Sequence, residues 1–220
     1  VHIADVTHYV KEDTVLNDEA ESRATSVYLV DRVVPMLPER LSNQLCSLRP
    51  GEDKLTYSVI LKMNSKAEVL DYEVCRTVIN SNKRFDYDQA QEIIESGEGE
   101  LSDEILNIHK LAEKLKEKRY ANGAFNFESD EVKFKLDENK NPTGVYFKTM
   151  KEANRLIEEF MLLANRKVAS KYEGSPFVFR VHEEPDEKTI QELKGFLSGL
   201  GYDANMGDKV TSQKINELVE

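Results

Sequence analysis

Residues Thr56 to Ile79 read TYSVILKMNSKAEVLDYEVCRTVI. Two runs rich in β-branched and aromatic residues, Thr56–Asn64 and Ala67–Ile79, flank the polar pair Ser65-Lys66. That pattern predicts an antiparallel β-hairpin. Val69, Tyr72, Val74, Thr77 and Ile79 keep the second arm strand-like along its length. At its exit Arg76, Lys83 and Arg84 make a small basic cluster, which suits a solvated strand end and a phosphate contact equally.

Upstream lies TSVYLVDRVVPMLPERLSNQLCSLRP, Thr25 to Pro50. It combines a strand-like apolar run, three prolines and a short helix-like piece, and Gly51 completes the closing turn. Asp13–Arg23 is acidic and suits a short exposed helix. Val1–Val6 reads as a short strand, followed by His8 and Tyr9. His2, Asp5 and His8 invite a metal reading, but in an extended strand residues 2 and 8 share one face while residue 5 points to the other. Ordinary strand and loop roles are expected for them.

Downstream, Asp86 or Asp88 caps a helix ending at Ser96-Gly97. A second helix runs from Ser102 to about Arg119, with Ile105, Ile108, Ala112 and Leu115 at helical spacing. Lys114, Lys116, Lys118 and Arg119 crowd its end, where cations complement the helix dipole. His109 lies beside the apolar row and is expected at the surface or an edge. Ala124–Glu128 and Val132–Asp137 alternate apolar and polar residues, and the turn Asn139–Gly144 leads into the strand Val145–Met150. Phe125 and Phe127 project to one side of their strand, for core packing or for base stacking.

A third helix, about Lys151–Tyr172, carries a wide apolar face of Ala153, Leu156, Ile157, Phe160, Met161, Ala164 and Val168. Asn154, Glu158 and Asn165 line one flank of it. Phe177–His182 is expected as a strand, and a last helix runs from Pro185 or Asp186 to Leu200. Together these elements predict an α+β domain with a mixed, largely antiparallel sheet and packed helices.

The chain of 220 residues is 32% charged, against a usual fraction of about 25%, and its net charge is −11. That balance argues against a general nucleic-acid-binding surface, though it leaves room for a narrow basic channel. There is no membrane-length apolar run and no signal pattern, so the cytoplasm is the expected compartment. Cys46 and Cys75 do not make a disulfide framework. A phosphate-cradling glycine loop, a Cys-x-x-Cys pair, a His-Glu-x-x-His helix and a Gly-x-Ser-x-Gly elbow are all absent. Val1 stands first and Ile215–Glu220 reads as a helix without a closing signal, so residues 1–220 are expected to be part of one domain, cut at both ends.

At HIADV (2–6), at Thr25–Leu55 and at RLIEEFMLLAN (155–165), the chain resembles the ribonuclease II/ribonuclease R family of exoribonucleases. FESDEVKF (127–134) and FRVHEEP (179–185) extend the similarity, which covers Val1 to about Gly201. The resemblance implies an RNB-type catalytic domain that threads single-stranded RNA into a channel. It implies processive, Mg2+-dependent 3′-to-5′ hydrolysis to nucleoside 5′-monophosphates. By that resemblance Tyr28 stacks near the RNA 3′ end, and Phe127, or its rival Phe125, is the second stacking aromatic. Glu158 supports the catalytic carboxylates by orienting water or neighbouring groups. The family's metal-binding aspartates precede HIADV and its catalytic arginine follows residue 220, so no metal ligand is expected in this chain, which alone should be inactive. A non-catalytic RNA-binding or regulatory relative is the alternative. The chain departs from the family pattern at Ala24 and Gln44, where glycine is usual, which implies altered backbone turns beside Tyr28.

Overall fold

The computed structural model describes residues 1–124, 131–181, 183, 185–202, 211 and 214–216. In chain order the elements begin with β1 (His2–Ala4), α1 (Val6–Tyr9), α2 (Val15–Arg23), β2 (Val27–Tyr28) and β3 (Val33–Val34). A π-helical segment, Arg40–Leu45, leads to β4 (Asp53–Met63) and β5 (Val69–Asn80). Then come α3 (Tyr87–Ser96), α4 (Ser102–Ala121), β6 (Glu131–Leu136), β7 (Pro142–Lys148), α5 (Glu152–Lys171) and α6 (Glu187–Gly199). No helix among the described residues is long and apolar enough to cross a membrane.

The predicted hairpin is the centre of the fold. β4 and β5 pair antiparallel with Thr56 opposite Thr77 and Val59 opposite Val74, and β1 adds to the free edge of β4 with Ile3 opposite Tyr57. The turn is wider than Ser65-Lys66. Asn64 closes it by accepting from the backbone N–H groups of Lys66 and Glu68 through its side-chain oxygen, and Ala67 takes a left-handed conformation. Two lysines of α4 pin this turn: Lys114 donates to the Ser65 carbonyl at 2.6 Å and Lys118 to the Lys66 carbonyl at 2.7 Å. The expected role of these cations at the helix end is thereby joined by two specific long-range contacts.

Each face of the three-stranded sheet is covered at a different end. Val59 and Val74 pack with Ala164 of α5, bordered by Leu61, Tyr72 and Val168. On the opposite face Thr56 and Ser58 are fully buried despite being polar. Their hydroxyls are satisfied by the Thr77 hydroxyl, at 2.7 Å from Thr56 and 2.5 Å from Ser58, and His2 Nδ1 lies 2.7 Å from Ser58 Oγ. Burial of such groups is tolerated because every oxygen has a partner.

Helices α3, α4 and α5 pack pairwise around Ile93, Ile105, Ala112, Ala153 and Leu156. Asp86 caps α3 by accepting from Gln89 N at 2.8 Å, while the Gln89 side chain accepts from Asp86 N, and Gly97 ends the helix in a left-handed conformation. The apolar face of α5 is narrower than predicted, since Ile157 and Met161 remain exposed. All three sheets are antiparallel, and the isolated bridge Pro50–Ser81 is the parallel pairing among the described residues.

Two expectations change. Thr25–Pro50 holds no single strand: Leu29 N donates to Arg32 O at 2.8 Å, folding the run into the two-residue strands β2 and β3. Phe177–Val181 is not a strand, and among the described residues no strand pairs with it. Ring stacking replaces that pairing, with Phe177 parallel to Tyr172 at 4.8 Å. The expected strand Ala124–Glu128 falls largely outside the described residues.

Candidate functional site

Tyr28 sits on the β2–β3 ribbon, opposite Val33. Its side chain is 79% exposed, and Val27, Leu29, Val30, Val33 and Val34 around it are exposed as well. The base of the ribbon is fastened. Ser26 Oγ accepts from Met36 N at 2.9 Å, and Arg23 donates to the Pro35 carbonyl at 3.2 Å. Ala24, at the entry, has φ +59°, a conformation that suits glycine and strains a residue with a Cβ. Gln44 shows no such strain, and its carbonyl accepts from Lys54 Nζ at 2.8 Å. A fastened two-strand ribbon presents the Tyr28 ring to solvent with little backbone freedom.

Glu158 projects from α5 at the half-exposed flank, 3.6 Å from Arg119 Nη2. Its neighbour Glu159 is buried, at 4% exposure. Arg119 donates to Glu159 Oε1 from Nε at 2.9 Å and from Nη2 at 2.6 Å, which raises the guanidinium pKa further. The sequence reading missed Glu159 as the anchored partner. Helical spacing does not mark it: at about 100° per residue, position 159 lies well off the row of Ala153 and Ala164, and its partner Arg119 is distant in sequence. His109 is more enclosed than expected, with Nδ1 3.9 Å from Glu113 and Nε2 3.8 Å from Glu152, and Nε2 lacks a hydrogen-bond partner.

Beside this helix pair an open groove of about 490 Å³ runs between the loop Arg84–Tyr87 and helices α3, α4 and α5. Phe85, Tyr87, Ile108, Leu156 and Ile157 give it apolar walls, Arg84 adds a cation, and the Asp86 carboxylate beside it is engaged in capping α3. Residues of this kind offer a flat ring, a guanidinium and apolar sides, which suits an aromatic ring carrying negative charge. Arg84 was legible in the basic cluster, whereas Tyr87 reads in sequence only as the first residue of a helix.

His2, Asp5 and His8 do not converge. β1 ends at Ala4 and α1 starts at Val6, so the chain bends at Asp5 instead of running on extended. His2 turns to Ser58, and His8 meets Tyr9 edge-on at 5.0 Å. Asp5 is buried and accepts from Thr7 Oγ1 at 2.6 Å while Arg76 Nε lies 3.1 Å from its other oxygen. The Thr7 hydroxyl, and after it Arg76, holds the Asp5 carboxyl below the usual range against the opposing effect of burial. Among the described residues no three His, Cys, Asp or Glu side chains are grouped to hold a metal ion. Phe125 and Phe127 lie outside the described residues.

The RNB domain family matches residues 1–220. Ribonuclease R of Thermotoga maritima is 45% identical over 228 residues, covering all of this chain and 32% of that protein. DIS3-like exonuclease 2 of Caenorhabditis elegans is 40% identical over 222 residues, covering 92% of this chain and 26% of that protein. The chain thus spans about a third or less of these curated relatives. Among solved structures, Mycoplasma genitalium RNase R in complex with ribose methylated single-stranded RNA superposes with a TM-score of 0.86 at 29% identity. That alignment covers 98% of this chain and 35% of the other.

Proposed function

The chain belongs to the RNB domain family, and from that membership we propose that it forms part of a processive exoribonuclease acting on single-stranded RNA from the 3′ end. The products in this reading are nucleoside 5′-monophosphates, and the compartment is the cytoplasm, where the unpaired thiols Cys46 and Cys75 persist. The observation that carries the reading is the Tyr28 ring, displayed on a fastened ribbon at the position where the family pattern has its stacking tyrosine.

Tyr28 in this proposal stacks on a base near the 3′ end, and Phe127 or Phe125 stacks on a second. Glu158 orients groups at the scissile end from a helix whose position Arg119 and Glu159 hold. The groove of Arg84, Phe85 and Tyr87 receives a further nucleotide. The parent reaction in this reading uses Mg2+. The described residues do not fit such an ion, since they group no ligand set, and no step is assigned to one.

An intact protein carrying these residues, given 5′-labelled single-stranded RNA and Mg2+, should shorten it from the 3′ end with monophosphate release. Tyr28→Ala should lower the rate or lengthen the final product, because each base–aromatic stack contributes about 1–3 kcal/mol. Internal cleavage, or RNA binding without any hydrolysis by the intact protein, would refute the exonuclease reading. The second outcome would favour a binding relative.

A further inference from the structure

Tyr57 and Arg76 stand directly opposite each other on β4 and β5, so their side chains share one face of the sheet, with Ile3 on the far side of Tyr57. Helix α5 covers this face at its Val59–Val74 end. Toward the other end the Arg76 side chain is 65% exposed, and Ile3 and Tyr57 are also exposed. Arg76 is nonetheless fixed. Its Nε lies 3.1 Å from the buried Asp5 carboxylate and its Nη2 donates to Thr7 Oγ1 at 3.5 Å, which leaves the guanidinium's remaining donors for a ligand.

From Tyr57 the surface continues as aromatic rings. The Tyr172 phenol raises the pKa of the Tyr57 hydroxyl near it, and the Tyr172 ring stacks on Phe177 at 4.8 Å with planes 8° apart. Phe179 follows edge-on at 5.2 Å. Phe177 and Phe179 are 45% and 42% exposed, and no strand among the described residues pairs with the segment that carries them. Lys171 Nζ lies 6.0 Å over the Tyr172 ring, and Arg180 sits between Phe179 and Val181. In a chain of net charge −11, a guanidinium, an ammonium and four rings are thus gathered on one surface.

We propose that Arg76, Tyr57, Tyr172, Phe177 and Phe179 form a second single-stranded-RNA contact, in which bases stack on the phenylalanine rings and Arg76 meets a phosphate. The inference rests on the RNA reading above and adds residues that the family resemblance does not assign. Stacking platforms bordered by cations hold single strands without regard to sequence, because every base has a flat face. An arginine already oriented by a buried carboxylate gives up little side-chain freedom on meeting phosphate. A purely apolar protein partner would bury the remaining guanidinium donors without acceptors, whereas a phosphate supplies acceptors and is also drawn to Lys171, so a polyanion is favoured.

The test is photo-cross-linking of the chain to an oligoribonucleotide containing 4-thiouridine, with the adducts mapped to peptides. Adducts are expected on the peptides holding Tyr57 and Phe177–Phe179, besides the one holding Tyr28. Phe177→Leu, which keeps bulk and removes the ring, should weaken binding about fivefold or more. Arg76→Gln should reduce the slope of log affinity against log salt by about one. Because that change leaves Asp5 unpaired, the double variant Asp5→Asn/Arg76→Gln is measured beside it. Adducts confined to the Tyr28 peptide, with Phe177→Leu binding like wild type, would overturn this surface and leave the RNA reading standing. Self-association that Phe177→Leu abolishes, without adducts there, would assign the surface to a protein contact and overturn it equally. Absence of any adduct or binding at low salt would remove both readings.

Discussion

Ala24 shows how one side chain sets a local cost. It holds φ +59° at the entry to the Tyr28 ribbon, where glycine is usual in the family pattern. Ala24→Gly should therefore stabilise the chain by about 1 kcal/mol, read as a rise in the thermal midpoint, since relief of the Cβ clash outweighs the entropy glycine adds to the unfolded chain. Asp5 gives a pH-dependent counterpart. Its folded-state pKa lies below the unfolded value of about 3.9, so its stabilisation is complete above that pH and is lost as pH falls through the folded pKa. Asp5→Asn should thus cost stability at neutral pH and cost progressively less as pH falls through the folded pKa, in urea denaturation run from neutral into acid. An equal penalty at every pH would mean that the contribution of Asp5 does not depend on its charge.

At the scale of elements, the α4–α5 contact depends on a charge pair that the helix periodicity does not reveal. Arg119→Ala should destabilise the chain by about 3 kcal/mol in urea titration, because it strands Glu159 without a partner at 4% exposure. Replacing Arg119 and Glu159 together by leucine should restore most of that loss. The helices themselves were legible: Asp86, Gly97 and the spacing of Ile105, Ile108 and Ala112 mark their ends and faces by local chemistry. The β4–β5 hairpin was legible for the same reason, since alternation and turn residues act within a few positions. Phe177–Val181 was misread because strand identity requires a neighbour, and propensity carries no information about one. Arg119 with Glu159, forty positions apart, and Asp5 with Arg76 are pairings set by packing. The groove at Tyr87 depends on three helices meeting and has no local mark.

For the whole molecule, the charge balance and the candidate site make a joint demand. A chain at −11 repels polyanions except where cations cluster. These 220 residues alone should bind single-stranded RNA weakly and with steep salt dependence, and should release no mononucleotides with Mg2+. Fluorescence anisotropy across a salt series and product chromatography check the two statements. Tight binding indifferent to salt would contradict the charge argument, and monophosphate release would show that these residues suffice for hydrolysis.

The two lysines that pin the hairpin turn divide the sequence into positions free to vary and positions that are not. Lys114 and Lys118 address main-chain carbonyls of Ser65 and Lys66, so the clamp is indifferent to which side chains those two turn residues carry. Mutational tolerance is accordingly one-sided. Drift at 65 and 66 leaves the joint intact, whereas the reach and the compact ammonium of the α4 lysines have no substitute in a forked guanidinium.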